Sequence, residues 1–168
     1  MTKELAEIVL GVANLIVILC GVLWAYRRFR VERTHQPRME FDIDCSFFGP
    51  QNGSYACQVL VRAKNCGLIR HEFRDLKIRI LGIEKTDILT YWTGNEPRLQ
   101  FPHKIAVGSL LYAPKYDYIF VEPGVEQTLT FNTMVPEKMS FVVIHVSFTY
   151  SEENTHSAER VFKVIERN

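Results

Sequence analysis

Histidine and cysteine are the side chains best suited to chemistry near neutral pH, and here they are dispersed. The five histidines stand at positions 35, 71, 103, 145 and 156. His71-Glu72 lacks the second histidine, one helical turn on, that a zinc-binding helix needs. The cysteines are Cys20, Cys45, Cys57 and Cys66, and no pair has CxxC spacing. Cys57 and Cys66 are nine residues apart, which in an extended chain puts them on opposite faces. They read as small buried side chains rather than metal ligands. There is no glycine-rich phosphate loop and no Gly-x-Ser-x-Gly turn. His145 lies in an apolar run and reads as a structural histidine that faces solvent or a second sheet. The expectation is a protein that is not an enzyme and needs no metal or cofactor.

Residues suited to recognition are denser. The stretch 92–120 gathers Trp92, Phe101, Tyr112, Tyr116, Tyr118 and Phe120 among glycines and prolines, with Arg98, His103, Lys104 and Lys115 interspersed. Aromatic rings beside cationic side chains are the usual make-up of a protein interface. A connection this long in a small domain tends to be functional. Trp92, Arg98, Phe101, His103, Lys104, Tyr112 and Tyr116 therefore form the candidate binding surface. The competing reading is that Tyr116, Tyr118 and Phe120 alternate because they are the inward face of another strand.

Two kinds of element must position these residues. The first is an N-terminal helix. From Ile8 to Tyr26, 19 consecutive residues contain no Asp, Glu, Lys, Arg or His, and 11 of them are Ile, Leu or Val. As a helix they reach roughly 28 Å, close to the ~30 Å hydrocarbon core of a bilayer. Arg27, Arg28, Arg30 and Arg33 follow at once, and Trp24 and Tyr26 suit the headgroup level. A cleaved signal peptide would carry its basic residues before the apolar run and small residues after it. The positive-inside bias places the arginine side in the cytoplasm, the N-terminus outside and the rest of the chain cytoplasmic at the plasma (inner) membrane. The odd number of cysteines beyond the span fits a reducing compartment. The four arginines can also bind anionic lipid headgroups. Gly11, Asn14, Ile18, Gly21 and Ala25 follow 3-4-3-4 spacing and share one helix face, where small residues and an Asn favour helix pairing.

The second kind is the β-strand. Residues 1–36 read as the anchor with its basic juxtamembrane segment, and residues 37–168 as one β domain. In the run 39–47, Met39, Phe41, Ile43, Cys45 and Phe47 alternate with polar residues, the pattern of a half-buried strand. Tyr55, Cys57, Val59, Val61 and Ala63 repeat it after the turn cluster at 49–54, so the two runs predict an antiparallel hairpin. Further strands are expected at 75–81, 87–92, 126–135, 141–150 and 158–166. Seven or so short strands predict a mainly β protein, an antiparallel sandwich or, as the alternative, a small barrel.

The segments "VLVRAKNCG" and "FVEPGVEQTLTF" resemble parts of immunoglobulin-like, adhesion-type bacterial modules, in Asn65-Cys66-Gly67 and Pro123-Gly124. The resemblance implies an immunoglobulin-like sandwich with a binding role. The sequence departs from that pattern in the long stretch between the 75–81 strand and Phe120.

Charge excludes one class of partner. The segment from Arg38 onward has 15 Lys and Arg against 16 Asp and Glu, so it lacks the basic excess of a nucleic-acid module. The expected partners are membrane lipid and either a second copy of the chain or another membrane-associated protein. The expected role is a single-pass, membrane-anchored binding or scaffold module. The alternative is a ligand-sensing effector whose oligomerised helices perturb the membrane.

Overall fold

The computed structural model describes residues 3–31, 38–92, 98–111, 118–151 and 154–164. The chain divides into two units, Met1–Gln36 and Pro37–Asn168.

The first unit is helix α1, Lys3–Val31. It contains no proline, carries Glu4 in its first turn, and has Arg28 and Arg30 in its last. These charges complement the helix dipole at both ends. The Arg28 guanidinium sits 5.3 Å from the Trp24 ring centre, one turn back. Along α1 every described side chain is exposed. The helix is long and apolar enough to cross a membrane, and none of its apolar stretch is buried within the chain.

The second unit is mainly β and antiparallel. Its strands are β1 (Met39–Gln51), β2 (Ser54–Asn65), β3 (His71–Glu84), β4 (Tyr91–Trp92), β5 (Arg98–Leu99), β6 (His103–Ser109), β7 (Tyr118–Val121), β8 (Glu126–Pro136), β9 (Met139–Ser151) and β10 (Asn154–Lys163). One sheet has the order β1-β2-β8; the other has β10-β9-β3-β6, with β7 also on β3; β4 and β5 form a small hairpin. The sheets keep separate edges, β1 and β8 in one and β10 and β6 in the other. No strand pairing among the described residues joins them, so the expected alternative of a closed barrel is not what forms.

Alternation explains the core. Tyr55, Cys57, Val59, Val61 and Ala63 of β2 are all buried, as are Phe73, Leu76, Ile78 and Ile80 of β3. Val142, Ile144, Val146 and Phe148 of β9 join the same cluster. The two sheets meet through rings: Phe41 of β1 stacks on Phe148 of β9 at 4.2 Å and meets Phe73 of β3 edge-on at 6.4 Å. Gly108 of β6 has a steric role, because a Cβ there would lie 2.6 Å from the Phe131 ring of β8.

Two non-glycine residues among the described ones have positive φ, one in a turn and one in a bulge. Asn52 and Gly53 (φ 53° and 73°) close the β1–β2 hairpin, the pair that a two-residue type I′ turn prefers. Asp75 (φ 52°) stands where the β3–β9 register shifts between Arg74 and Lys77. Asp tolerates this left-handed conformation better than most residues, and the extra residue makes a bulge.

β6 and β7 run along the same edge of β3. Gly82 to Lys77 pair with His103 to Ser109, and Arg74 to His71 pair with Tyr118 to Val121. The long stretch from β3 to Phe120 is therefore a hairpin excursion followed by one interrupted edge strand. In β7, Val121 is buried and Ile119 packs on the core, while Tyr118 and Phe120 are exposed. The aromatic side chains of this strand point outward, opposite to the reading that made them its inward face.

Candidate functional site

One cleft in the β unit opens at the start of β6. It holds about 500 Å³ and is lined by Ser54, Glu84, Pro102, His103, Lys104, Ile105, Met134, Pro136, Lys138 and Met139. The neighbouring strands fix its walls. His103 pairs in register with Gly82 and Lys104 with Leu81, which brings the start of β6 beside Glu84 at the end of β3. Met134 and Pro136 come from the last residues of β8, an edge strand of the other sheet.

At its polar end His103 lies between two carboxylates. His103 Nε2 is 2.8 Å from Asp87 Oδ2, and Nδ1 is 3.6 Å from Glu84 Oε1. The Lys138 ammonium completes the group at 2.6 Å from Glu84 Oε1. Asp87 Oδ2 also accepts the Glu84 backbone N–H at 2.8 Å. That backbone hydrogen bond, with the one from His103, holds the Asp87 carboxyl below its ordinary pKa, because each favours the ionised form. The ring nitrogens of His103 thus face carboxylates and not a hydroxyl or thiol that they could activate. Among the described residues, no group of three or more His, Cys, Asp or Glu side chains is placed to hold a metal ion. The cleft combines apolar side chains (Ile105, Met134, Met139) with fixed charges at its rim, a mixture suited to binding.

The candidate surface of the sequence reading is only partly gathered here. His103 and Lys104 line the cleft. Phe101, just before β6, is half-buried. Arg98 lies on β5, opposite Trp92 of β4. Arg98 is not among the residues that line the cleft. His145 of β9 is half-buried and pairs across strands with Arg79 and Glu159. Burial of its ring lowers its pKa, as do the charges of Arg79 and Arg98. Tyr112, Tyr116 and Arg33 lie outside the described residues, as does the side chain of Trp92. In α1, Gly11, Asn14, Ile18, Gly21 and Ala25 are exposed along one face, and Arg27, Arg28 and Arg30 occupy the last turns.

The partners of His103 were not legible as a site. Glu84, Asp87 and Lys138 carry no motif, and only the pairing of β3 with both β6 and β9 brings them together. The sequence did hold one signal for them, the step from the apolar β3 run to charged residues at Glu84, Lys85 and Asp87.

No protein-family model matches the chain, and no curated protein matches it. Among solved structures it is similar to a protein described as ApaA from Bordetella pertussis, with 10% identity over 76% of this chain and 94% of that one (TM-score 0.47). It is also similar to a FixG-related protein from Vibrio parahaemolyticus, with 14% identity over 73% and 94% (TM-score 0.34). β-Glucosidase 3B from Thermotoga neapolitana matches at 18% identity, over 76% of this chain and only 17% of the enzyme (TM-score 0.34). At these scores the likenesses establish neither a family nor an activity.

Proposed function

We propose that the protein is a single-pass membrane protein whose β unit, an immunoglobulin-like sandwich, is a binding or scaffold module at the cytoplasmic face of the plasma membrane. The observation that carries this reading is α1. It is a helix of 29 residues whose apolar side chains find no cover within the chain. Covering them with lipid recovers roughly 25 cal/mol for each Å² removed from water. The arginines at its C-terminal end supply the orientation. The immunoglobulin-like reading draws support from two antiparallel sheets around one core. The His103 cleft is the place on the module where a partner segment would seat. Anchoring raises the local concentration of the module for any partner at the same membrane.

The test uses the full chain with a C-terminal tag, expressed in cells and probed by alkaline carbonate extraction and external protease. The proposal expects the tagged chain to stay with the membrane pellet, with α1 retained at its N-terminus. It also expects the tag to resist protease until the cells are opened. A mature chain that begins beyond α1, or one released by carbonate, would show that the helix is a leader. A tag cut on intact cells would reverse the orientation.

A further inference from the structure

The described residues contain one close contact between potential nucleophiles. Cys45 of β1 and Cys57 of β2 lie with their sulfur atoms 3.3 Å apart. They are diagonal neighbours, since Cys45 pairs with Val59 and Cys57 with Phe47. Their environments differ. Cys57 is buried in the core at 2% exposure. Cys45 is half-buried and lines a second pocket of about 450 Å³ between β1 and β10, along with Ser46, Phe47, Phe48 and Arg160. Cys45 therefore borders a pocket, whereas Cys57 is closed off from solvent.

We propose that Cys45 and Cys57 form a redox-active dithiol that a small-molecule disulfide of the glutathione class converts to a cross-strand disulfide. In the first step the Cys45 thiolate attacks one sulfur of the reagent. A Cys45–S bond forms, the reagent's S–S bond breaks, and one thiol leaves with a proton. In the second step the Cys57 thiolate attacks Cys45 Sγ. The protein S–S bond forms and the second reagent thiol leaves. Two protein thiols are oxidised, and the two electrons reduce one reagent disulfide to two thiols.

Three features favour this chemistry. The sulfurs must close from 3.3 Å to the ~2.05 Å of a disulfide, and β1, as an edge strand, is paired on one side only. Lys163 at the pocket, beside Arg160 that is itself paired with Asp42 at 2.9 Å, favours a reagent that bears carboxylates, as oxidised glutathione does. The S–H···S contact also eases loss of the pair's first proton, because the thiol that remains donates to the thiolate. The Cys57 thiol is accordingly held down by Cys45, and Cys45 is pushed up by the same bond and by burial. Because the two sulfurs titrate as one pair, the first charge belongs to the pair and not to either thiol alone.

The inference rests on the β unit alone and holds whichever way the helix is oriented. The experiment uses the full chain in detergent with Cys20→Ser and Cys66→Ser, which removes the two exposed thiols. The folded protein is treated with oxidised glutathione, and its thiols are alkylated and read by intact-mass and peptide spectrometry. The expected product has lost both thiols, retains no glutathione, yields a Cys45–Cys57 cross-linked peptide, reverts with dithiothreitol and melts at a higher temperature. With Cys57→Ala the reaction should stop at a glutathione adduct on Cys45. With Cys45→Ala, Cys57 should stay unmodified until urea unfolds the chain. Free thiols that survive in the folded double-serine protein, or an adduct on Cys45 that is never displaced, would overturn the proposal.

Discussion

Asn65 shows how one side chain can hold an end of the β unit together. It is the only polar residue among the described ones that is fully buried. Its amide donates to Ile69 O at 2.9 Å and to Val121 O at 2.8 Å, and its Oδ1 accepts the Gly67 N–H at 2.8 Å. Its backbone N–H donates to Val125 O, and its carbonyl accepts from Gly124 N. Asn65-Cys66-Gly67 and Pro123-Gly124, read in the sequence as separate turn signals, are thus two sides of one bonded corner. Replacing Asn65 with Leu keeps the volume but leaves three backbone groups without their partner. At ~1–3 kcal/mol for a buried group left unpaired, partly offset by the gain in apolar burial, we expect Asn65→Leu to cost about 2–4 kcal/mol in urea unfolding. Asn65→Asp should cost a similar amount at neutral pH, because a carboxylate would face two carbonyls, and should recover in part when acid protonates it. A loss well under ~1 kcal/mol in both variants would mean that the corner is held by its backbone bonds alone.

At the scale of elements, the excursion from Glu84 to His103 is closed at its base by Asp87 and His103 and stiffened further out by Gln100 N donating to Thr90 O at 3.0 Å. Because the Asp87 carboxyl is depressed in the fold, the folded chain binds this proton less readily than the unfolded one. Its contribution to the fold is complete above the ordinary carboxylate range and vanishes as pH falls through the depressed value. Amide exchange, corrected for its intrinsic pH dependence, should therefore speed up at Glu84 and across the β4–β5 hairpin in acid. Asp87→Ala should show the fast exchange already at neutral pH and lose the acid step. Hairpin protection indifferent to both would show that the base is not closed by this bond.

The elements differ in how legible they were. β1, β2 and β8 turn one face inward throughout, so strict alternation betrayed them, while β9 was betrayed by the apolar run of its first half, where Val142, Val143 and Ile144 are all buried. β6 escaped because a register shift between Ile80 and Leu81 breaks its alternation and Gly108 occupies an inward position where Phe131 leaves no room. The Cys45–Cys57 contact escaped for a similar reason. The Asn52-Gly53 turn by itself sets Gln51 opposite Ser54, a register that places Cys45 opposite Leu60. The shift between Phe48 and Gln51 moves the pairing by one, so that Cys45 meets Val59 instead. One inserted residue decides which side chains share a face, and no spacing rule reveals it.

At the scale of the whole molecule, the proposed anchor has a consequence that the β unit cannot supply. With near-equal acidic and basic side chains beyond Arg38, the β unit generates no strong field to gather copies of itself. The helix can do so. Gly11, Asn14, Ile18, Gly21 and Ala25 lie within one arc of α1, and a Cβ added at Gly11 or Gly21 would touch nothing in the chain, so that face has room for a second helix. In hydrocarbon the Asn14 amide has no water to bond, and a hydrogen bond across a helix pair is worth ~0.6–2 kcal/mol. That corresponds to about a threefold to thirtyfold change in association. Asn14→Leu should weaken cross-linked oligomers in native membranes by this amount. Adding Gly21→Leu, which fills the close approach, should weaken them further, while Leu23→Ile on the opposite face should leave them unchanged. Oligomers that survive the double substitution would assign self-association to the β unit, and α1 would then be an anchor and nothing more.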